Sequence, residues 1–290
     1  MAGTAFTLLA ALGFAAVSTF TQIALDHGAT LWNVLMWRFA IGAAVMVLVA
    51  VVQRSSRLAW RHELQWLVLG GGGQALLVGM ALSSLRYLSV ATLAFLFYTY
   101  PAWVVLVQAV RGVEPVTTRR LGAVGLSFAG TVLVAGAPIL AHGLPWQGVA
   151  LGLGAAIVYA LYIPLMVWMQ RDYPVTVTTA YAKAGSALCF VVVGAAAGTL
   201  TTVMTPAAWG ATVALATVST VLPTVFFMMG LLRLGPGPTA IVSTVEPFLT
   251  AQIGAIVLSQ PLAANTLAGG VLIAAAVVVL QSGRPAPARP

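Results

Sequence analysis

Polar side chains are rare interruptions along this chain. Apolar runs of roughly 20 residues follow one another, broken at Gly, Pro and small clusters of charge. A run of that length crosses a bilayer as a helix, because a rise of about 1.5 Å per residue carries 20 residues across roughly 30 Å of hydrocarbon. Barrel strands would read instead as alternating segments of about ten residues. The pattern predicts ten spans, at roughly 5–25, 32–52, 64–84, 89–110, 119–138, 147–169, 176–198, 206–229, 235–258 and 264–282. The expected fold is all-α and integral to the membrane, with short connections and no soluble domain.

Two spans carry a proline near their middle. In "FYTYPAWVVLVQAVRGVEPVT", Pro101 sits inside span four, and Pro247 takes the same place in span nine. Proline removes one backbone donor and clashes with the preceding turn, so each should break its helix and free carbonyls. At membrane depth such groups persist only against protein or a wet cavity.

The two prolines belong to a repeat. Pro101 and Pro115 are 14 residues apart, as are Pro247 and Pro261, and a shift of 146 residues superimposes them. The same shift pairs Leu85 with Leu231, Leu88 with Leu234, Ala94 with Ala240, Leu121 with Leu267 and Leu126 with Leu272, while Glu114 meets Gln260. A shift of 145 lays Arg38 on Lys183, the two cations inside spans. The halves are residues 1–140 and 147–283, followed by a short Pro-rich tail at 284–290 that reads as disordered. Five spans per half is an odd number, so the second half should enter the membrane upside down. Secondary transporters are often built this way, with the substrate site at mid-membrane between the repeats.

Composition agrees: 61% of residues are apolar, 6% are charged and mean hydropathy is +1.02, against about 25% charged in a soluble domain. The net charge of +8 does not imply nucleic acid, since the basic residues are scattered singly between spans. Arg54, Arg57, Arg61, Arg111, Arg119, Arg120, Arg171, Arg233, Arg284 and Arg289 fall on one side and Arg86 on the other. That bias places both termini in the cytoplasm of a cell (cytoplasmic) membrane. Trp32, Trp60, Trp66, Trp146, Trp168 and Trp209 fall near span ends, where amphipathic rings anchor.

The sequence resembles the drug/metabolite transporter superfamily, EamA branch. The resemblance rests on "WRFAIGAAVMVL" after a short first hairpin and on "LRLGPGPTAIVSTVEPFLTAQIGAIVLSQPLAANTLAGGVLIAAAVVV" near the end. In that branch each half ends with a helix carrying a central Pro, a short "EP" turn and a Gly-rich last helix. Here these are Pro101, Glu114–Pro115 and Gly122 to Gly130, then Pro247, Gln260–Pro261 and Gly269 with Gly270. The sequence departs from the branch in "LGFAAVSTF", where a Trp-Gly pair is common, and in Gln260, where Glu is usual. The resemblance implies transport of metabolites, amino acids among them, and fixes no ligand.

Candidate site residues gather at the breaks and the buried charges. Leu96, Tyr100, Trp103 and Val107 recur at helical spacing, with Phe97 and Tyr98 beside them. They read either as a cavity wall or as a packed aromatic core. Glu246, just before Pro247, must be protonated, paired or wet; it is either a substrate or proton site or a structural partner of the freed backbone. Arg38 and Lys183 either snorkel to an interface or bind a substrate carboxylate or Glu246. Gln74 follows Gly70–Gly73 and faces a possible cavity, as do Tyr159 and Tyr162 near Pro164; the glycine run lacks the context of a phosphate loop and reads as close helix packing. His27, His62 and His142 fall in loops far apart, and Cys189 has no partner, so no metal, cofactor or disulfide is expected.

The reading is a secondary transporter, not an enzyme, with a small-molecule substrate, the bilayer as its solvent, and a proton or counter-solute as driving partner. Export of a small metabolite such as an amino acid leads. A passive channel, or an importer of an organic anion, nucleoside-like or drug-like solute, stays open, as does monomer against weak dimer.

Overall fold

The computed structural model describes residues 2–55, 58–84, 86–88, 93, 96–113, 116–135, 145–170, 173–201, 203–258 and 264–281. Glu114, Pro115, Gln260, Pro261, Leu85, Ala94, His142, Arg57, Arg171 and the tail lie outside them. Every regular element among the described residues is a helix.

Seven helical stretches among these residues are long and apolar enough to cross a membrane: Ala2–Asp26, Leu31–Val52, Trp60–Ser84, Trp146–Gln170, Val175–Ala196, Pro206–Leu234 and Pro236–Val257. The other three expected spans hold shorter or less apolar helices, at Tyr100–Val110, Thr118–Ala135 and Ala264–Gln281. In chain order the α-helices are α1 (Ala2–Ala15), α2 (Val17–Asp26), α3 (Leu31–Val52), α4 (Trp60–Gln65), α5 (Gly73–Ser84), α6 (Tyr100–Val110), α7 (Thr118–Ala135), α8 (Trp146–Gln170), α9 (Val175–Ala196), α10 (Pro206–Ala216), α11 (Leu222–Leu234), α12 (Pro236–Ser243), α13 (Glu246–Leu258) and α14 (Ala264–Gln281). Thr30 and Thr205 begin α3 and α10 by accepting hydrogen bonds from Asn33 N and Ala208 N, which satisfies a donor the first helical turn leaves free.

The halves pack by exchange. α3 lies along α9, α7 along α14, α1 along α11, α5 along α8, and α6 against α12. Each pair joins one element from each half. Two of these partners, α3 with α9 and α7 with α14, occupy equivalent repeat positions, and α1–α11 mirrors α5–α8.

Two spans are not continuous α-helix. Residues Trp66–Gly72 form a π segment between α4 and α5, and Thr217–Val221 form another between α10 and α11. These are the third span of the first half and the third of the second. Neither was visible in the apolar pattern, because a π turn changes the hydrogen-bond partner and not the composition.

The glycine run sits in the first π segment and does what small residues do in membranes. A Cβ on Gly71 would stand 2.5 Å from Gly185 Cα, so α9 and the π segment touch backbone to backbone. Ser186 bridges the contact by donating to Gly71 O at 3.0 Å. Gly71→Ala should therefore lower the unfolding temperature in detergent, by the equivalent of about 1–3 kcal/mol. Gly72→Ala, with nothing within 4 Å of the added methyl, should leave it unchanged or raise it; thermal unfolding of the two variants side by side checks this.

Candidate functional site

Both expected helix breaks are present, and they share one form. A turn at Tyr98–Thr99 precedes α6, whose second residue is Pro101; a turn at Thr244–Val245 precedes α13, whose second residue is Pro247. Each proline thus begins a helix, where its missing donor costs nothing. Thr99 Oγ1 donates to Leu96 O at 2.6 Å and Thr244 Oγ1 to Ile241 O at 2.6 Å, satisfying carbonyls next to each break.

The aromatics expected around Pro101 form a packed cluster that reaches across the two halves. Phe97 stacks on Tyr159 with ring centroids 5.5 Å apart, and Tyr100 meets Tyr159 at 4.7 Å. The Tyr100 hydroxyl points at Ala240 O, 3.4 Å away on α12. Tyr98 lies within electrostatic reach of Glu246, which occupies the first turn of α13, where the helix dipole favours an anion. The expected face Leu96–Tyr100–Trp103–Val107 is displaced. α6 buries Tyr100, Val104 and Gln108, and Trp103 is only partly covered, its indole donating to Thr99 Oγ1 at 3.2 Å. Leu96 and Tyr100 stay buried on either side of the turn, and beyond it the buried row follows every fourth residue from Tyr100, through Val104 and Gln108, rather than through Trp103 and Val107.

Lys183 does not snorkel: it is 1% exposed, at mid-helix in α9. Its ammonium donates to Gln74 Oε1 at 3.1 Å, and the same oxygen accepts from Ser186 Oγ at 3.2 Å. Arg38 donates from Nε to Thr220 Oγ1 at 2.6 Å and lies within electrostatic reach of both Glu246 and Lys183. Phe39 carries both cations, with Arg38 Cζ 5.3 Å and Lys183 Nζ 5.4 Å from its ring centroid.

A cavity of about 70 Å³ lies between α1, the first π segment, α5, α8, α9 and α11. Of the expected residues it is lined by Gln74, Lys183, Tyr159 and Tyr162. Tyr98, Tyr100, Trp103, Glu246 and Arg38 do not line it; Tyr159 connects the two groups, touching Tyr100 while facing the cavity. Trp66, Phe227 and Met228 supply apolar wall, and Gln170, Thr179 and Thr224 supply polar wall. None of these six was expected at a site. Trp66 in particular was expected at an interface but is 2% exposed, whereas Trp60, Trp146 and Trp168 are more than half exposed as expected. The π segment that starts at Trp66 turns its ring onto Gly70.

Polar pairs also join the halves at the start of the third span. His62, expected in a loop, lies in α4, where its Nδ1 is 2.7 Å from the Tyr173 hydroxyl. The Tyr181 hydroxyl donates to Glu63 at 2.6 Å, while within the second half Thr178 donates to Gln170 Oε1 at 2.7 Å. No group of three or more metal-ligating side chains exists among the described residues.

Apolar helices of spanning length, crossing between two similar halves around buried charge, define a multi-pass membrane protein of transporter type. The chain belongs to the EamA-like transporter family, whose model matches it twice, over residues 1–136 and 146–281. Each match spans just under half of the chain. A crystal structure of a protein 20% identical in sequence superposes with a TM-score of 0.83 over 96% of each chain, which places this fold among solved ones. No curated protein matches the chain.

The Lys183–Gln74 hydrogen bond makes a measurable claim. Gln74→Leu should destabilise the protein by roughly 1.5–3 kcal/mol, because a buried ammonium loses its acceptor. Adding Lys183→Met should recover most of that loss, and the coupling is read from thermal unfolding of both single variants and the double.

Proposed function

We propose that the protein is a secondary transporter of the cell (cytoplasmic) membrane, working by alternating access between two inverted five-helix halves with both termini in the cytoplasm. It exports a small metabolite, an amino acid being the leading candidate. Family membership carries this reading, and the pairing of elements across the halves supports it. Energy comes from a proton or counter-solute gradient. In this scheme Glu246, within electrostatic reach of Tyr98 and Arg38, is the group that exchanges a proton or a substrate ammonium. The α6 and α13 starts, at Pro101 and Pro247, are the hinges, since helix termini absorb backbone rotation more easily than helix interiors.

In proteoliposomes, radiolabelled amino acids should show saturable counterflow rather than ion current. Glu246→Gln should reduce it at least tenfold, and Trp103→Ala should raise the half-saturating concentration. Normal counterflow with unchanged affinity in both variants removes these residues from the site, and a conductance without counterflow identifies a channel instead.

A further inference from the structure

Among the described residues Lys183 is the one charged side chain that is buried outright. Arg38 and Lys183 are both cationic, and Glu246 acts electrostatically on Arg38. Lys183 is a nearly fully buried amino group with no carboxylate paired to it among the described residues. An ammonium has three donors, and among the described residues one acceptor is met, Gln74 Oε1. The Gln74 amide nitrogen also has no described partner, since that side chain accepts through its oxygen from both Lys183 and Ser186. Both side chains line the cavity.

From this geometry we infer that Lys183 and Gln74 form a subsite for the carboxylate of an organic acid, whose apolar part lies against Trp66, Phe227 and Met228. This rests on the transport reading and specifies the substrate class of the same cavity. A carboxylate offers two oxygens to the two kinds of free donor, ammonium and amide, and supplies the one charge that Lys183 lacks. The cavity of about 70 Å³ has room for a small polar group, since a single water needs roughly 10–15 Å³ by that measure. It suits a carboxylate head, with the rest of the molecule accommodated as the spans around it separate. A phosphate dianion would ask for more charge than a single uncompensated lysine provides. The apolar walls oppose a second charged group at this end.

Binding is measured on the detergent-purified full chain by thermal shift and by tryptophan emission, using phenylacetate and phenylacetamide as paired probes at matched ionic strength. Phenylacetate should raise the unfolding temperature saturably, and the amide should bind at least tenfold more weakly. Lys183→Gln should lose at least tenfold in phenylacetate affinity, Lys183→Arg should retain part of it, and Trp66→Phe should remove the emission change while keeping the thermal shift. Equal binding of the amide, an equal shift with sodium chloride alone, or unchanged affinity in Lys183→Gln would overturn the subsite. If Lys183→Gln does not fold, the comparison of acid, amide and chloride on the unaltered protein decides the matter. No gradient is involved, so saturable phenylacetate binding without any counterflow would remove the transport reading and leave the subsite. Counterflow of uncharged amides in preference to acids would do the reverse.

Discussion

A single helix crossing holds together the features on which the cavity depends. Gly71 and Gly185 let the third span and α9 meet backbone to backbone, and only at that separation can Ser186 reach Gly71 O and Lys183 reach Gln74. In water a lysine can always find a solvent partner. In a bilayer it depends on what neighbouring helices present, so contact between two small residues fixes where a charge can reside. The packing of glycines and the chemistry of the lysine are one constraint seen from two sides.

The helix breaks answer a related constraint. A proline inside a continuous helix strands carbonyls in hydrocarbon, whereas a proline that opens a new helix strands nothing further. By ending one helix two residues early and starting another, the chain converts a defect into a pair of helix ends. Those ends meet across the halves, where Tyr100 faces Ala240 and Tyr98 faces Glu246. Aromatic hydroxyls from the first half thus meet polar groups of the second.

What the sequence disclosed depended on the range of the interaction involved. Apolar run length reports the bilayer directly, so helices of spanning length could be read from it, and the two prolines marked the breaks at Pro101 and Pro247. The neighbours of Lys183 could not, because burial at a polar position is decided by a distant helix: Gln74 is 109 residues away. Trp66 and His62 were misplaced for a different reason. Both lie at the entry to the third span, where a short α4 and a π segment replace the loop and simple helix expected there. Phase was the weakest inference of all, since from Tyr100 an apolar helix offers both the row through Trp103 and Val107 and the row through Val104 and Gln108, and packing selects the second.

The π segment of the third span sets an angle as well as a contact. Trp66 opens it and Gln74 lies just past its end, so the bearing of the indole relative to the amide is fixed by the register of the residues between them. One residue subtends about 100° of an α-helix. Relaxing the wide turn into regular α-helix would therefore swing everything before it by a large fraction of that angle about the span axis, while Gln74 stayed with Lys183. The span would behave as a rotary joint, with Trp66 as the part that turns and the buried lysine as the part that stays.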